Sequence, residues 1–339
     1  MDTHLSETRP FVINLESSQP IIPSIIPSII PIIPNKPRKY KLWIIIGSIF
    51  IFVVILLLFY KFTYNENTHD ENTHTENRIL LIDSISFDNN DLLDKWENSK
   101  VWNIVKYVYG RDFLFNENDT IKAIYPKGSW SPSSGSLHGY GGFDFYVQPI
   151  VFPYNEICFQ YDIKFASNFE WVKGGKLPGL WIGDIGASGG NHINYGYSYR
   201  VAWKQYGQVE AYLYIPTNQS QDLILEPEYI KNDLYGDSLW RGFTNFTKDK
   251  WYTIIMYIKL NTFSKNTPII SPNYDGIISL KINNTTRTYN KLIWTTKSNL
   301  QINGIMMDSF FGGSDVSYAT INTTYIYFNN FKVSRFKCS

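Results

Sequence analysis

The chain has 339 residues, 44% of them hydrophobic and 17% aromatic, with a formal charge of +1. That is enough apolar material for one domain of ordinary size with appendages, and it excludes a chain disordered throughout. The even charge balance leaves no electrostatic footprint for a general nucleic-acid binder.

Residues 1–41 contain "IIPSIIPSIIPIIP". Proline every third or fourth position forbids a helix or a central strand, so this reads as an extended, polyproline-like tail. Residues 42–60, "LWIIIGSIFIFVVILLLFY", carry no charge and are long enough to cross a bilayer as a helix. Lys36, Arg38, Lys39 and Lys41 precede this run, whereas Lys61 stands against Glu66, Asp70, Glu71 and Glu76 after it. The positive-inside rule then predicts a single-pass anchor with a cytoplasmic N-terminus and the C-terminal domain extracellular, lumenal or on a virion surface. Residues 61–78 repeat "ENTH" and are polar, which predicts a solvated stalk with His69 and His74 as part of it.

From residue 79 to 339 the pattern changes to short runs rich in Tyr, Phe, Ile and Val, separated by Gly, Asn, Asp and Pro. "ICFQYDIKF", "YSYRVAW", "VEAYLYI", "WYTIIMYIKL", "GIISLKI" and "TYIYFNNFKVSRF" are examples. Alternating segments at this spacing predict an all-β jelly roll or β-sandwich. Sequons at Asn118, Asn218, Asn245, Asn283, Asn284 and Asn322 all follow the apolar run and agree with exposure outside the cytoplasm. The two cysteines, Cys158 and Cys338, lie on that side too, where a disulfide would persist; pairing and two buried thiols are equally compatible with the sequence.

Candidate chemistry begins at "WVKGGKLPGLWIG", residues 171–183, where four glycines, a proline and two lysines interrupt an apolar strand pattern. This predicts a strand running into a Leu-Pro-Gly turn that fixes Lys176 over a sheet, with the double glycine allowing close approach of a ligand. In "YSYRVAWKQYGQVEAYLYIP", a three-residue loop ending on a left-handed Gly207 centres a hairpin on Tyr206. Arg200 then faces Tyr212 and Ser198 faces Tyr214, all four on one face. The other face carries Tyr199, Val201 and Trp203, paired with Ile215, Leu213 and Ala211, as core.

A guanidinium and a lysine can neutralise a carboxylate, and a phenol beside cations ionises more easily than its unperturbed value near 10 implies. Such a set suits removal of a proton α to a carboxylate, with the developing charge held by the cations. Lys173, His192, Trp181, Trp203 and Tyr206 are candidate substrate-binding residues, the aromatics by stacking on sugar rings.

These segments, with "IKAIYPKGSWSP", "WYTIIMYIKLNT" and "INGIMMDSFFGGSD", resemble in content and order the alginate and glucuronan lyases of polysaccharide lyase family 14, including those of large algal viruses, and in part the family 20 glucuronan lyases. The resemblance spans about Ile121 to Arg335. It implies a jelly roll with a cleft across one sheet and β-elimination of an acidic, uronate-containing polysaccharide. It also implies that Lys176, Ser198, Arg200, Tyr212 and Tyr214 are the catalytic set.

A non-catalytic carbohydrate-binding surface protein used for attachment is the alternative reading. A glycosidase is disfavoured because no paired carboxylates stand out in the strand segments. Zinc lacks ligand spacing, and a structural calcium, though compatible with a jelly roll, has no ligands the sequence identifies, so no cofactor is expected.

Overall fold

A computed structural model describes residues 84–132, 139–149, 151–266, 269–336 and 338. The tail, the apolar run and the stalk lie outside them, as does His138 in "GSLHGYGG". No helix among the described residues is long and apolar enough to cross a membrane.

The described chain is a sequence of strands: β1 (Ser84–Ser86), β2 (Ile104–Tyr109), β3 (Leu114–Glu117), β4 (Thr120–Tyr125), β5 (Phe143–Val147), β6 (Glu156–Phe165), β7 (Gly174–Gly183), β8 (Gly196–Lys204) and β9 (Val209–Tyr214). There follow β10 (Asp237–Leu239), β11 (Trp251–Lys259), β12 (Phe263–Asn266), β13 (Ile269–Pro272), β14 (Gly276–Ile282), β15 (Thr285–Leu292), β16 (Ile302–Phe311) and β17 (Thr324–Arg335). They form two antiparallel sheets. The back sheet runs β15-β14-β11-β6-β17-β4-β3 with β1 on β17, and the front sheet β10-β9-β8-β7-β16-β5-β2; β12 and β13 make a separate hairpin. The fold is thus an all-β sandwich.

Period-two patterning explains why the sheets stack. In β6, Ile157, Phe159, Tyr161, Ile163 and Phe165 face inward; in β11, Tyr252, Ile254, Met256 and Ile258 do. They meet Leu177, Leu180 and Ile182 of β7, Tyr199, Val201 and Trp203 of β8, and Val209, Ala211 and Leu213 of β9 in one apolar cluster. The back sheet's β11 alternates buried with exposed positions, the signature of a sheet with one wet face. Strands β7 and β9, by contrast, are buried at every position. Loops therefore cover the outer face of the front sheet, and polar side chains are buried there.

Cys158 in β6 and Cys338 form a disulfide that ties the end of the chain to the back sheet.

Candidate active site

The β8–β9 hairpin forms as its loop chemistry dictates. Tyr206 (φ 61) and Gly207 (φ 76) are both left-handed, and Arg200 pairs with Tyr212 and Ser198 with Tyr214. The core face differs in register from the expected pairing: Tyr199 opposes Leu213, Val201 opposes Ala211 and Trp203 opposes Val209, because a loop centred on Tyr206 pairs residues whose numbers sum to a constant.

The Leu-Pro-Gly segment is not a turn. Strand β7 runs straight through it with a bulge, so that Leu177 opposes Val201 and Gly179 opposes Arg200, leaving Pro178 as the extra residue. Proline suits that place because it has no N–H to give to a ladder. The bulge turns Lys176 and Gly179, three residues apart, toward the same outer face. The Pro178 carbonyl accepts the Tyr161 hydroxyl from the back sheet at 2.9 Å, which satisfies a buried polar group at the irregularity.

Nor do the two glycines bring the strand up to a ligand. A Cβ on Gly175 would run into the Trp203 indole, and Gly174 sits at φ 132 against the Trp203 carbonyl. Their small size makes room for a core tryptophan. Trp203 is itself fully buried among Phe165, Phe169 and Phe311, so it does not bind substrate as expected. Trp181 is also buried, edge-on to Tyr146 at 5.5 Å, whereas Tyr206 is exposed at the hairpin tip.

Gly179 has a different task. A Cβ there would meet Arg200 Cα at 2.7 Å and Cγ at 2.8 Å. The guanidinium of β8 lies over this gap in β7 and reaches Asp308 of β16, Nη1 to Oδ2 2.5 Å. We expect Gly179→Ala to cost about 1–3 kcal/mol of stability through overpacking and to lower turnover with it. An unchanged urea midpoint would show that Arg200 does not depend on the gap.

Asp308 and the Asp144 directly opposite it on β5 are the residues sequence reasoning missed. Both are buried, and both carboxyls are shifted up from their ordinary range, chiefly by desolvation. Asp144 is pushed to about 7, with the Asp308 charge adding to burial and Arg200 opposing it. One buried guanidinium thus faces two carboxyls, and Asp308 is the one that bonds it directly. Asp308 is fully buried and tied to Arg200, which leaves Asp144 at the cavity wall without the second open carboxyl that a glycosidase needs.

Lys176 is 7% exposed, its Nζ 3.9 Å from the Tyr212 ring centroid. Among the described residues no carboxylate forms an ion pair with it. Burial, seconded by the nearby charges of Lys204 and Arg200, pushes its amine well below the ordinary lysine range. Besides the charge-neutralising role expected of it, Lys176 is thus an amine that gives up its proton more readily than an ordinary lysine.

Tyr212 also departs from expectation. Tyr212 is shifted upward because desolvation, joined by Tyr214, outweighs the nearby Arg200. Its oxygen accepts the Gly236 N–H at 3.1 Å, and the Tyr214 oxygen accepts the Gly190 N–H at 2.8 Å. The Ser198 hydroxyl donates to the Ala187 carbonyl at 2.7 Å. Three of the five predicted residues thus anchor loops that wall the cleft.

Lys176, Arg200, Tyr212 and Asp144 line one cavity of about 200 Å³, together with Ser188, Gly189 and Tyr235 from those loops. A larger cavity of about 480 Å³ lies alongside, lined by His192, which is exposed 5.1 Å from the Tyr214 ring. Lys173 is exposed away from this centre and donates to Ser317 Oγ at 2.5 Å. No group of three or more His, Cys, Asp or Glu that could hold a metal occurs among the described residues.

A family model described as Polysaccharide lyase 14 matches residues 115–331, well over half of the chain. The chain belongs to polysaccharide lyase family 14. Among solved structures it is similar to the PL-14 alginate lyase of Aplysia kurodai, at 30% identity and TM-score 0.59, covering 67% of this chain and 88% of that one. It is also similar to the alginate lyase vAL-1 from Chlorella virus, at 26% identity and TM-score 0.59, covering 74% and 99%. A curated relative, Exolysin of Paramecium bursaria Chlorella virus 1, is 24% identical over 197 residues. That alignment takes in 52% of this chain and 29% of the relative, so the chain matches less than a third of the relative's length.

Proposed function

We propose that the chain is a lyase that cleaves uronate-containing polysaccharide, of alginate or glucuronan type, by β-elimination. The observation that carries this reading is Lys176: a buried amine with no carboxylate partner among the described residues, touching a phenol and sharing a cavity with a guanidinium. The alginate lyases among the solved relatives support the substrate class.

The amine takes the proton α to the uronate carboxyl, the electron pair forms the ring double bond, and the glycosidic carbon–oxygen bond breaks. Arg200 faces the substrate carboxylate from the cavity wall. Its charge supports the negative charge that develops in the transition state. Tyr212, which lines the same cavity, gives its hydroxyl proton to the leaving oxygen. The backbone N–H of Gly236 and the charge of Arg200 then support the phenolate. Tyr214 and Ser198 hold the loops that shape the cleft.

Incubation with polymannuronate, polyguluronate and glucuronan, followed by ultraviolet absorbance of unsaturated uronate ends, tests this. Absorbance should rise with at least one polymer. Retention of a polymer without any rise would instead favour a carbohydrate-binding surface protein.

The charge-free run at residues 42–60, flanked by cations on its N-terminal side, supports a single membrane anchor that presents the lyase domain outside the cytoplasm. Alkaline carbonate should leave the full chain in the membrane pellet; its release to the supernatant would remove the anchor from this reading.

A further inference from the structure

Along β8 the outward positions run Ser198, Arg200, Ala202, Lys204, so Lys204 stands about 13 Å from Arg200 at the rise of an antiparallel strand. Its Nζ lies 6.0 Å from the ring centre of Tyr212, the phenol that Lys176 also touches. Lys204 also lines a third cavity, of about 400 Å³. Lys173, Lys204 and Arg241 line it with Gln208 and Tyr318, and no carboxylate does.

These three cations come from separate segments: the entry to β7, the end of β8, and the loop after β10. Beneath them the fully buried Glu210 of β9 forms an ion pair with Lys204, Nζ to Oε1 3.1 Å, and accepts a hydrogen bond from Arg241 Nε at 2.7 Å, so one carboxylate holds two cations in place. Arg241 also donates to Ser238 Oγ at 2.6 Å. Lys173 is held by the neutral Ser317 hydroxyl, which itself leans on Asp315, and lies 5.5 Å from the Tyr318 ring. Its charge is therefore not cancelled by a direct ion pair.

The backbone supports this convergence in an unusual way. Val172 (φ 48) and Trp240 (φ 59) are left-handed, a conformation that β-branched and bulky residues rarely adopt. Each immediately precedes a cation of the cavity, Lys173 in one case and Arg241 in the other. Such strain persists where the surroundings over-determine it, and it gathers at ligand clamps.

We propose that this cavity is a carboxylate subsite, which binds another uronate of the same polysaccharide chain while the Lys176 centre acts on its neighbour. The inference rests on the lyase reading, since that is what sends an acidic polymer along the cleft. Cations on a partly exposed wall recognise a carboxylate by charge-assisted hydrogen bonds, and Tyr318 offers a ring for the sugar face. Binding here holds the polymer in register and acts on substrate and transition state alike, so it appears in KM more than in kcat.

The test uses the full-length chain with Lys173→Gln, Lys204→Gln and the charge-preserving Lys204→Arg. Glu210 keeps Arg241 in each, so no buried carboxylate is left alone. With uronate oligomers of increasing length, the two Gln variants should raise KM roughly fivefold for long oligomers, and Lys173→Gln, which stands clear of the Lys176 centre, should leave the shortest cleavable oligomer nearly unaffected and change kcat little. Lys204→Arg should restore most of the loss, and the salt dependence of KM should flatten in the Gln variants. A KM that is unchanged at every length, or a loss equal at every length, overturns the subsite. Calorimetric binding of a long oligomer to Lys176→Ala, with and without Lys204→Gln, separates the two readings. Binding that depends on Lys204 without turnover in the parent chain keeps the subsite and overturns the lyase; turnover without Lys204-dependent affinity does the reverse.

Discussion

Replacing Lys176 with alanine should lower kcat on a cleavable uronate polymer by about 10²–10⁴-fold, the range typical of a removed general base. Lys176→Arg should be as inactive, because a guanidinium stays protonated and cannot accept the substrate proton. The pH dependence follows from the sign of the shift. The amine must be uncharged to act, so kcat/KM should rise with pH through a midpoint well below 10.5, the ordinary lysine value. The residual activity of the alanine variant should lack that limb.

Stability should follow the same group. Between the lowered folded value and 10.5 the unfolded chain binds a proton that the folded chain does not, so the Lys176 contribution makes the fold more stable as pH rises. Lys176→Met removes the need to bury an amine and should raise the urea midpoint at neutral pH while abolishing turnover. Full turnover by Lys176→Ala would place the proton chemistry elsewhere.

The second large effect belongs to Arg200 and Asp308. Asp308→Ala leaves a buried guanidinium without its partner and should cost about 3–5 kcal/mol. A double replacement, Arg200→Met with Asp308→Leu, should recover most of that loss, because a well-packed apolar pair of similar volume often matches a buried ion pair. It should nonetheless remain inactive, since the guanidinium that faces the substrate carboxylate is gone. Urea unfolding and turnover measured on both variants check this, and a double variant that turns over would exclude Arg200 from the chemistry.

Asp144 adds a pH signature. Its folded value near 7 lies above the ordinary 3.8, so its contribution to stability is present in acid and lost as pH rises through about 7. Asp144→Asn should remove that decline.

The hairpin was legible because its determinants are local. One loop length and one left-handed glycine set the register, and period two then assigns Ser198, Arg200, Tyr212 and Tyr214 to a common face. Asp144 and Asp308 were not, because their neighbourhood depends on the order β8-β7-β16-β5, in which strands distant in sequence lie side by side. Nothing near "GFDFYV" announces that order. "GGKLPG" misled for a different reason: glycine is required by a close approach from either side of a sheet, and here the neighbour is the core residue Trp203 on one side and Arg200 on the other. The shift in Lys176 was hidden too, since local sequence shows its neighbours along the chain and not the loops that exclude water from it.

The Gly236 N–H that pins a cleft wall to the Tyr212 oxygen couples the shape of the site to its acidity. Besides Arg200, it is the interaction that favours the ionised phenol. A polymer that fits beneath the wall leaves the donor in place and Tyr212 ready to release its proton, whereas one that lifts the wall withdraws the donor and makes that release harder. A sugar of the wrong shape would then be refused by slow proton transfer even after it had bound, so selectivity would be exercised at the bond-breaking step as well as at entry.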